Sequence, residues 1–154
     1  MKQLNPDHVA AIKAQANNCP YFNLLSMKID TLEIGRSFME VDVQDKHLQP
    51  YGIVHGGVYA SLIDAAAFWA AYASIDTSGL TTVEMKLNFL APAASGRFIA
   101  KGKIIKAGKT ICLSEATVFD HKEKILAHGT STLMIRHSLE LGKQASLPPK
   151  YLAS

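Results

Sequence analysis

Cysteine is scarce in this chain of 154 residues, which contains only Cys19 and Cys112. The two lie far apart and outside any C-x-x-C pattern. They therefore provide neither a zinc motif nor a disulfide framework, and they are typical of a protein from a reducing compartment. We expect both to serve as small buried hydrophobic side chains.

Signatures of several enzyme classes are also missing. The six histidines contain no H-x-x-x-H pair, which argues against a metal site. No G-x-S-x-G sequence is present, so a serine hydrolase is unsupported. Neither G-x-G-x-x-G nor a P-loop occurs, so no nucleotide-binding loop of those kinds is predicted.

Charge excess and uninterrupted apolar runs are small as well. The net charge of +3 is too low to indicate nucleic-acid binding. The first residues lack the apolar segment of a signal peptide, and the longest apolar stretch contains Asp64, which disfavours a membrane span. We therefore expect a cytoplasmic protein. Because 48% of the residues are hydrophobic, the chain is predicted to be globular. We expect one domain over residues 1–137 and a loose polar tail over residues 138–154.

Two helices and two strands are predicted before the middle of the chain, and a long helix follows them. Asp7 is expected to cap a short helix that ends near Ala16. A helical turn in "CPYFNLL" and two strands come next, "MKIDTLEIG" and "RSFMEVDVQ", with Gly35 at the turn between them. The long helix, from about Gly57 to Ser74, is apolar almost all round, so it is predicted to be buried on nearly every side.

Alternation of polar and apolar residues begins after Gly79. Val83, Met85, Leu87 and Phe89 are predicted to share one face of a strand. Three further strands follow, with hairpin turns at "AGK" and "DHKE". The order of elements predicts an α+β fold, in which a curved antiparallel sheet wraps around one central helix.

The sequence "HGG", from His55 to Gly57, stands where a loop enters the long helix. A helix start leaves backbone N–H groups unpaired, and glycine lets another molecule approach them. Such a site can polarise a carbonyl group or hold an oxyanion. An ordinary turn with a surface histidine is the alternative.

Asp64 is the one acidic residue of the long helix. A carboxylate among leucine, isoleucine and alanine is costly to bury unless it has a partner or a task. It therefore suggests a general base. The alternative is an aspartate that is hydrogen-bonded to a strand or exposed at one edge of the helix.

The spacing between His55 and Asp64 constrains their use. Nine helical positions correspond to roughly 13 Å along the axis and about half a turn in direction. The two groups of one chain cannot reach the same small carbonyl group. If both serve one reaction, the histidine end of one subunit must meet the aspartate of another across a two-fold axis.

Four features together resemble a known family: "HGG", the aspartate of the helix, the strand "TTVEMKLNFLAPA" and the hairpin "KAGKTICLSEATVFD". Over residues 20–136 the chain resembles the hotdog-fold acyl-CoA thioesterases of the PaaI type. The resemblance implies hydrolysis of an acyl-CoA to a free acid and CoA, with no cofactor or metal required. It also implies a homodimer with two shared active sites, and two such dimers packed into a homotetramer.

The resemblance implies a role for each matching residue. Asp64 would be the nucleophile or general base, and the backbone N–H of Gly56 would polarise the thioester carbonyl. His55 would lie beside the departing thiolate together with Gln49, where relatives often have asparagine. Thr82 matches a serine or threonine that holds the attacking water.

The coenzyme A contacts that the resemblance implies lie on one strand and one hairpin. The lysines of the hairpin flank a glycine turn whose N–H groups suit phosphate. The residues concerned are Glu84, Phe89, Lys106, Ala107, Gly108, Lys109, Thr110 and Ile111. The acyl group stays open between aromatic and medium or long aliphatic chains. A hotdog hydratase or dehydratase and a non-catalytic acyl-CoA-binding module are the alternative functions.

Overall fold

A six-stranded antiparallel sheet wraps around one central helix in the computed structural model, which describes residues 2–76, 79–141 and 146–153. The strands stand in the order β1-β2-β4-β5-β6-β3. The predicted α+β hotdog architecture is thereby confirmed. In chain order the elements are α1 (Pro6–Asn17), α2 (Pro20–Leu25), β1 (Met27–Glu33), β2 (Arg36–Asp42), a 3₁₀ turn (Asp45–His47), α3 (Gly56–Tyr72), β3 (Leu80–Phe89), β4 (Arg97–Ala107), β5 (Ile111–Phe119) and β6 (Ile125–Ile135).

Small residues on the inner face of the sheet let α3 lie close to the strands. A Cβ atom at Gly102 would come within 2.1 Å of the Ala66 carbonyl oxygen. The Ser37 hydroxyl donates to that same oxygen at 2.5 Å. The alanines of α3 therefore serve close helix–sheet packing, and the helix is buried along most of its length, as predicted.

A narrow stripe of α3 is the exception to this burial. Gly57 is exposed, and the stripe continues through partly exposed side chains at helical spacing, namely Ala60, Ser61, Asp64 and Phe68. Because positions three and four apart share one helix face, these residues form a single line. Asp64 therefore lies on the stripe of α3 that the fold leaves partly exposed.

Strand β3 forms one edge of the sheet and departs from the predicted alternation. Met85 and Leu87 are partly buried, but the side chains of Val83 and Phe89 are 51% and 57% exposed. The pairing with β6 shifts register between Thr82 and Glu84, so Val83 occupies a bulge and turns outward. The prediction that the four apolar residues share one face was therefore wrong for Val83, whereas Phe89 keeps the alternation of Met85 and Leu87 and its ring lies 6.2 Å from that of Tyr59.

The N-terminal helix starts two residues earlier than a cap at Asp7 predicts, and it has a different cap. The side chain of Asn5 accepts a hydrogen bond from the Asp7 N–H at 3.0 Å. Pro6 is the first helical residue, where its missing N–H costs no hydrogen bond. The prediction that Asp7 caps this helix was therefore wrong, since Asp7 lies inside the first turn.

The described part of the tail packs against the domain, contrary to the expectation of a loose segment. His8 donates from Nδ1 to the Pro148 carbonyl at 2.6 Å and accepts at Nε2 from the Tyr72 hydroxyl at 2.8 Å. Lys150 donates to the carbonyls of Tyr72 and Ile75, each at 3.0 Å. Burial lowers the pKa of Lys150 to about 8. Residues 142–145 of the tail lie outside the described residues.

Candidate active site

A short loop before α3 positions Gln49 at the start of that helix. Gln49 donates its N–H to the Ile53 carbonyl, and Gly52 donates to the Gln49 carbonyl, both at 2.8 Å. Gly52 has a φ of 75°, which glycine adopts without strain. The Gln49 Oε1 accepts from the Tyr51 N–H at 2.5 Å. The oxygen of the amide is thus used locally, and its NH₂ group is the donor left for a ligand.

His55 caps α3 through its ring. Nδ1 accepts a hydrogen bond from the Gly57 N–H at 2.8 Å. A ring nitrogen that accepts carries no proton, so the ring proton of the neutral imidazole lies on Nε2. His55 is exposed, and Nε2–H is available as a donor beside the helix start.

The N–H of Gly56 is the first of α3, and it finds no hydrogen-bond acceptor within residues 2–76, 79–141 and 146–153. The first N–H groups of a helix lack intrahelical acceptors and carry partial positive charge. A Cβ atom at Gly56 would lie 3.4 Å from the Phe89 ring. The helix start therefore offers an unpaired amide beside an aromatic side chain.

A cavity of about 380 Å³ opens at the start of α3, and its wall includes Gln49, Gly56, Tyr59 and Phe89. The Tyr59 hydroxyl is buried and finds no hydrogen-bond partner among the residues that the structure describes. The Tyr59 ring stacks on Phe98 with a centroid separation of 5.7 Å, and burial raises the pKa of Tyr59. Tyr59 was not predicted as a site residue, although it lies on the Gly56 side of α3, one turn further along the helix.

Asp64 lies near the middle of α3, eight positions after Gly56. The Thr82 hydroxyl donates to Asp64 Oδ1 at 2.7 Å. Among the described residues this is the one hydrogen bond to the carboxylate, and no ion pair involves it. Asp64 is thus hydrogen-bonded to a strand, as one of the two interpretations of the sequence had it, and its other oxygen is left for a ligand or water.

A second cavity, of about 410 Å³, lies between α3 and the α1–α2 pair, and Asp64 forms part of its wall. The Tyr21 and Ser61 hydroxyls meet at 2.6 Å and join α2 to α3 along this cavity. Cys112 is buried as expected, but Cys19 is only half-buried and lines the cavity. The α1–α2 contribution was not predicted, since helix packing is not visible in the sequence.

The predicted site residues fall into three groups within one chain. His55, Gln49 and Phe89 gather around Gly56, whereas Thr82 accompanies Asp64 roughly 12 Å further along the helix axis. The hairpin from Lys106 to Ile111 is the third group, since residues 107–109 line a surface pocket with residues 74–76 at the opposite end of α3. Glu84 is exposed on β3.

The sequence profile of one protein family matches residues 51–127, a segment that holds the "HGG" motif, Asp64, Thr82 and the hairpin. That family is the thioesterase superfamily. The chain belongs to this superfamily. The resemblance to thioesterases that the motifs indicated is thereby confirmed for the superfamily. None of the described helices is long and apolar enough to cross a membrane.

Two proteins and one solved structure illustrate what the chain is similar to. SSO2140 of Saccharolobus solfataricus, named as an esterase, is 33% identical over 68% of this chain and 74% of its own. The 1,4-dihydroxy-2-naphthoyl-CoA hydrolase of Listeria monocytogenes is 29% identical over 73% of this chain and 92% of its own. The solved structure of thioesterase HI1161 from Haemophilus influenzae superposes with a TM-score of 0.80 at 20% identity, over 91% of this chain and 98% of that one, and supports the fold alone.

Proposed function

We propose that this protein is an acyl-CoA thioesterase. The observation that carries the proposal is Asp64, a carboxylate held by the Thr82 hydroxyl at 2.7 Å on the wall of a cavity. The unpaired N–H of Gly56 at the helix start supplies the complementary donor. A carboxylate and a helix-terminal amide are the two groups that attack on a carbonyl carbon needs.

The reaction adds water across the bond between carbonyl carbon and sulfur. Asp64 drives attack on the thioester carbonyl carbon, either directly or by taking a proton from water. The Gly56 N–H stabilises the negative charge that develops on the carbonyl oxygen. Collapse of the tetrahedral intermediate breaks the bond between carbonyl carbon and sulfur and expels the CoA thiolate beside His55 and Gln49, where it takes up a proton. When water attacks, this step yields the free acid; when Asp64 attacks directly, it leaves an anhydride between the acyl group and Asp64, which water then hydrolyses to the free acid. No metal or cofactor takes part.

Two copies of the chain are needed to join Gly56 to Asp64. Both groups lie on α3 and are roughly 12 Å apart along its axis. Strand β3 runs opposite to α3, since Thr82 meets Asp64 and Phe89 meets Gly56. The exposed Val83 and Phe89 side chains lie on this edge strand, and an unpaired edge is a ready surface for a second strand.

Antiparallel pairing of two β3 strands brings the complementary groups together. If the two-fold axis passes through the midpoint of Leu80–Phe89, Leu80 lies opposite Phe89 of the second copy. The Asp64–Thr82 end of one chain then faces the Gly56–Phe89 end of the other. Two equivalent sites result from one isologous contact. Further pairing of such dimers into a tetramer remains part of the proposal.

The nucleotide end of CoA is assigned to the hairpin from Lys106 to Ile111. The ammonium groups of Lys106 and Lys109 flank the turn at Gly108 and complement phosphate charge. Glu84 and Phe89 of β3 are proposed as further contacts to the CoA moiety.

Thiol release from a panel of acyl-CoA thioesters tests the function. Aromatic and straight-chain substrates are compared for the wild type and for Asp64→Asn, and binding of the same substrates is measured by calorimetry. We expect hydrolysis by the wild type and a loss of at least about a thousandfold in Asp64→Asn with binding retained. If no thioester is cleaved while acyl-CoA binds, the protein is a binding module. Hydration of an enoyl-CoA would instead identify a hydratase.

A further inference from the structure

We propose that the cavity between α3 and the α1–α2 pair holds the acyl group, and that it admits uncharged apolar acyl groups while excluding those with a terminal carboxylate. This inference rests on the proposed thioesterase function, because it assigns the acyl end of that substrate.

The lining of the cavity is mostly apolar. Eight of the described lining residues are apolar, and six of them, from the three helices and the start of β1, are Ile12, Ala16, Phe22, Met27, Phe68 and Trp69. No lysine or arginine is found among the described residues that line it. An ionised carboxylate placed here would lose its hydration without gaining a counter-ion, which is costly.

The polar groups of this lining are largely occupied. The hydroxyls of Tyr21 and Ser61 hydrogen-bond to each other at 2.6 Å. Asp64 accepts a hydrogen bond from Thr82, and Thr82 is not among the described residues that line the cavity. A ligand inside the cavity therefore meets hydrocarbon on most sides and one carboxylate on its wall. An acyl chain in this position has its carbonyl carbon beside Asp64.

The cavity wall is fixed to the sheet. Asn17, at the end of α1, donates from Nδ2 to the Ile29 carbonyl at 3.1 Å and accepts from the Ile29 N–H at 2.7 Å. At the other end of α1, His8 is hydrogen-bonded to Tyr72 of α3. Because both ends of α1 are held, this helix forms a fixed wall of the cavity. The cavity volume of about 410 Å³ lies in the range of small-molecule pockets.

Two opposite changes of volume test the assignment. Ala16 lines the cavity, so Ala16→Phe fills part of it, whereas Phe22→Ala enlarges it. Ala10 is exposed on the same helix, and Ala10→Phe is the matched control for the added ring. Thermal unfolding and circular dichroism confirm that each variant is folded before rates are compared.

The readout is kcat/KM for butanoyl-, octanoyl-, hexadecanoyl-, phenylacetyl- and succinyl-CoA. We expect Ala16→Phe to lose roughly tenfold or more on its longest wild-type substrate relative to butanoyl-CoA. Phe22→Ala should move the preference toward longer chains, and Ala10→Phe should match the wild type. Succinyl-CoA should be at least about a hundredfold poorer than butanoyl-CoA for the wild type.

The inference and the underlying function fail in different ways. Hydrolysis with a chain-length profile that is the same in all four proteins would overturn the inference and leave the thioesterase proposal standing. A loss of dimer in Ala16→Phe with that unchanged profile would mean that a second copy fills the cavity. Absence of thiol release from every substrate would contradict the proposed thioesterase function. The binding preferences of the same variants for these acyl-CoAs, measured by calorimetry, would still show whether the cavity binds the acyl group.

Discussion

The Thr82 hydroxyl donates a hydrogen bond of 2.7 Å to Oδ1 of Asp64 and so links the edge strand β3 to the central helix α3. This bond fixes the orientation of the carboxylate. It also ties the carboxylate to the strand through which a second copy is proposed to bind. Changes at Thr82 therefore report on how Asp64 is positioned.

Two substitutions at Thr82 distinguish the effect of its hydroxyl group on catalysis from the effect of its side-chain shape. Thr82→Val keeps the β-branched shape and removes the donor, so we expect kcat/KM for thiol release to fall roughly 10- to 100-fold. Thr82→Ser keeps the donor and should stay within about threefold of the wild type. Equal rates for the valine variant and the wild type would show that the hydrogen bond from Thr82 to Asp64 does not contribute to activity.

Removal of the buried hydroxyl of Tyr59 is expected to leave the stability of the fold almost unchanged. Since it finds no partner among the described residues, Tyr59→Phe should change the free energy of unfolding by less than about 0.5 kcal/mol or raise it. Tyr72→Phe is the matched control, because the Tyr72 hydroxyl bonds to His8, and it should cost about 1 kcal/mol. Urea unfolding at one protein concentration measures both. Equal losses in the two variants would mean that Tyr59 has a partner in solution.

The lowered pKa of Lys150 is expected to make the stability of the fold depend on pH. Its folded pKa of about 8 lies below the ordinary value of 10.5, so between these values the unfolded chain binds a proton that the folded chain has released. Stability due to this group is therefore lowest below about pH 8 and rises with pH toward 10.5. The thermal midpoint of the wild type should rise relative to that of Lys150→Met between pH 7 and pH 10. A constant difference across this range would contradict the account of its burial.

The hairpin lysines should matter only for substrates that carry the nucleotide. Lys109→Gln and Lys106→Gln are expected to raise KM for an acyl-CoA several-fold at low salt, with kcat unchanged. Acyl-pantetheine thioesters lack the nucleotide phosphates and provide the control, since their KM should not move. An equal rise for both kinds of substrate would place the nucleotide elsewhere.

Local patterns were sufficient to predict the order of the elements. Gly35 was expected at the turn between β1 and β2, and its φ of 73° confirms the reason. The apolar composition around Asp64 predicted the buried helix. The sequence also singled out Thr82 and Asp64, which the structure places in hydrogen-bond contact. These features depend on a few consecutive residues or on motifs that stand together.

Features that arise from distant contacts were not predictable in the same way. The bulge at Val83 depends on pairing with β6, which a pattern of alternating residues does not display. Lys150 docks on carbonyls 75 and 78 positions away in the chain. The cavity beside Asp64 needs α1 and α2 in position, and helix packing of this kind is set by tertiary contacts.

Complementation between two inactive chains tests the shared site most directly. Gly56→Pro replaces the N–H donor by a ring carbon at a position where proline suits the first turn of a helix. The backbone of His55, with φ −65° and ψ 138°, already suits a following proline, and the added Cβ atom is at 3.4 Å from the Phe89 ring. Gly56→Ala keeps the donor and serves as the control. The second chain carries Asp64→Asn, and the two chains bear different tags so that mixed dimers can be purified.

Each mixed dimer has one site with both groups intact and one site with neither. We predict that both parent homodimers release almost no thiol, and that the mixed dimer regains about half of the wild-type rate per dimer. A mixed dimer no more active than its parents, with Gly56→Ala fully active, would contradict a site built from the amide of one chain and the carboxylate of the other.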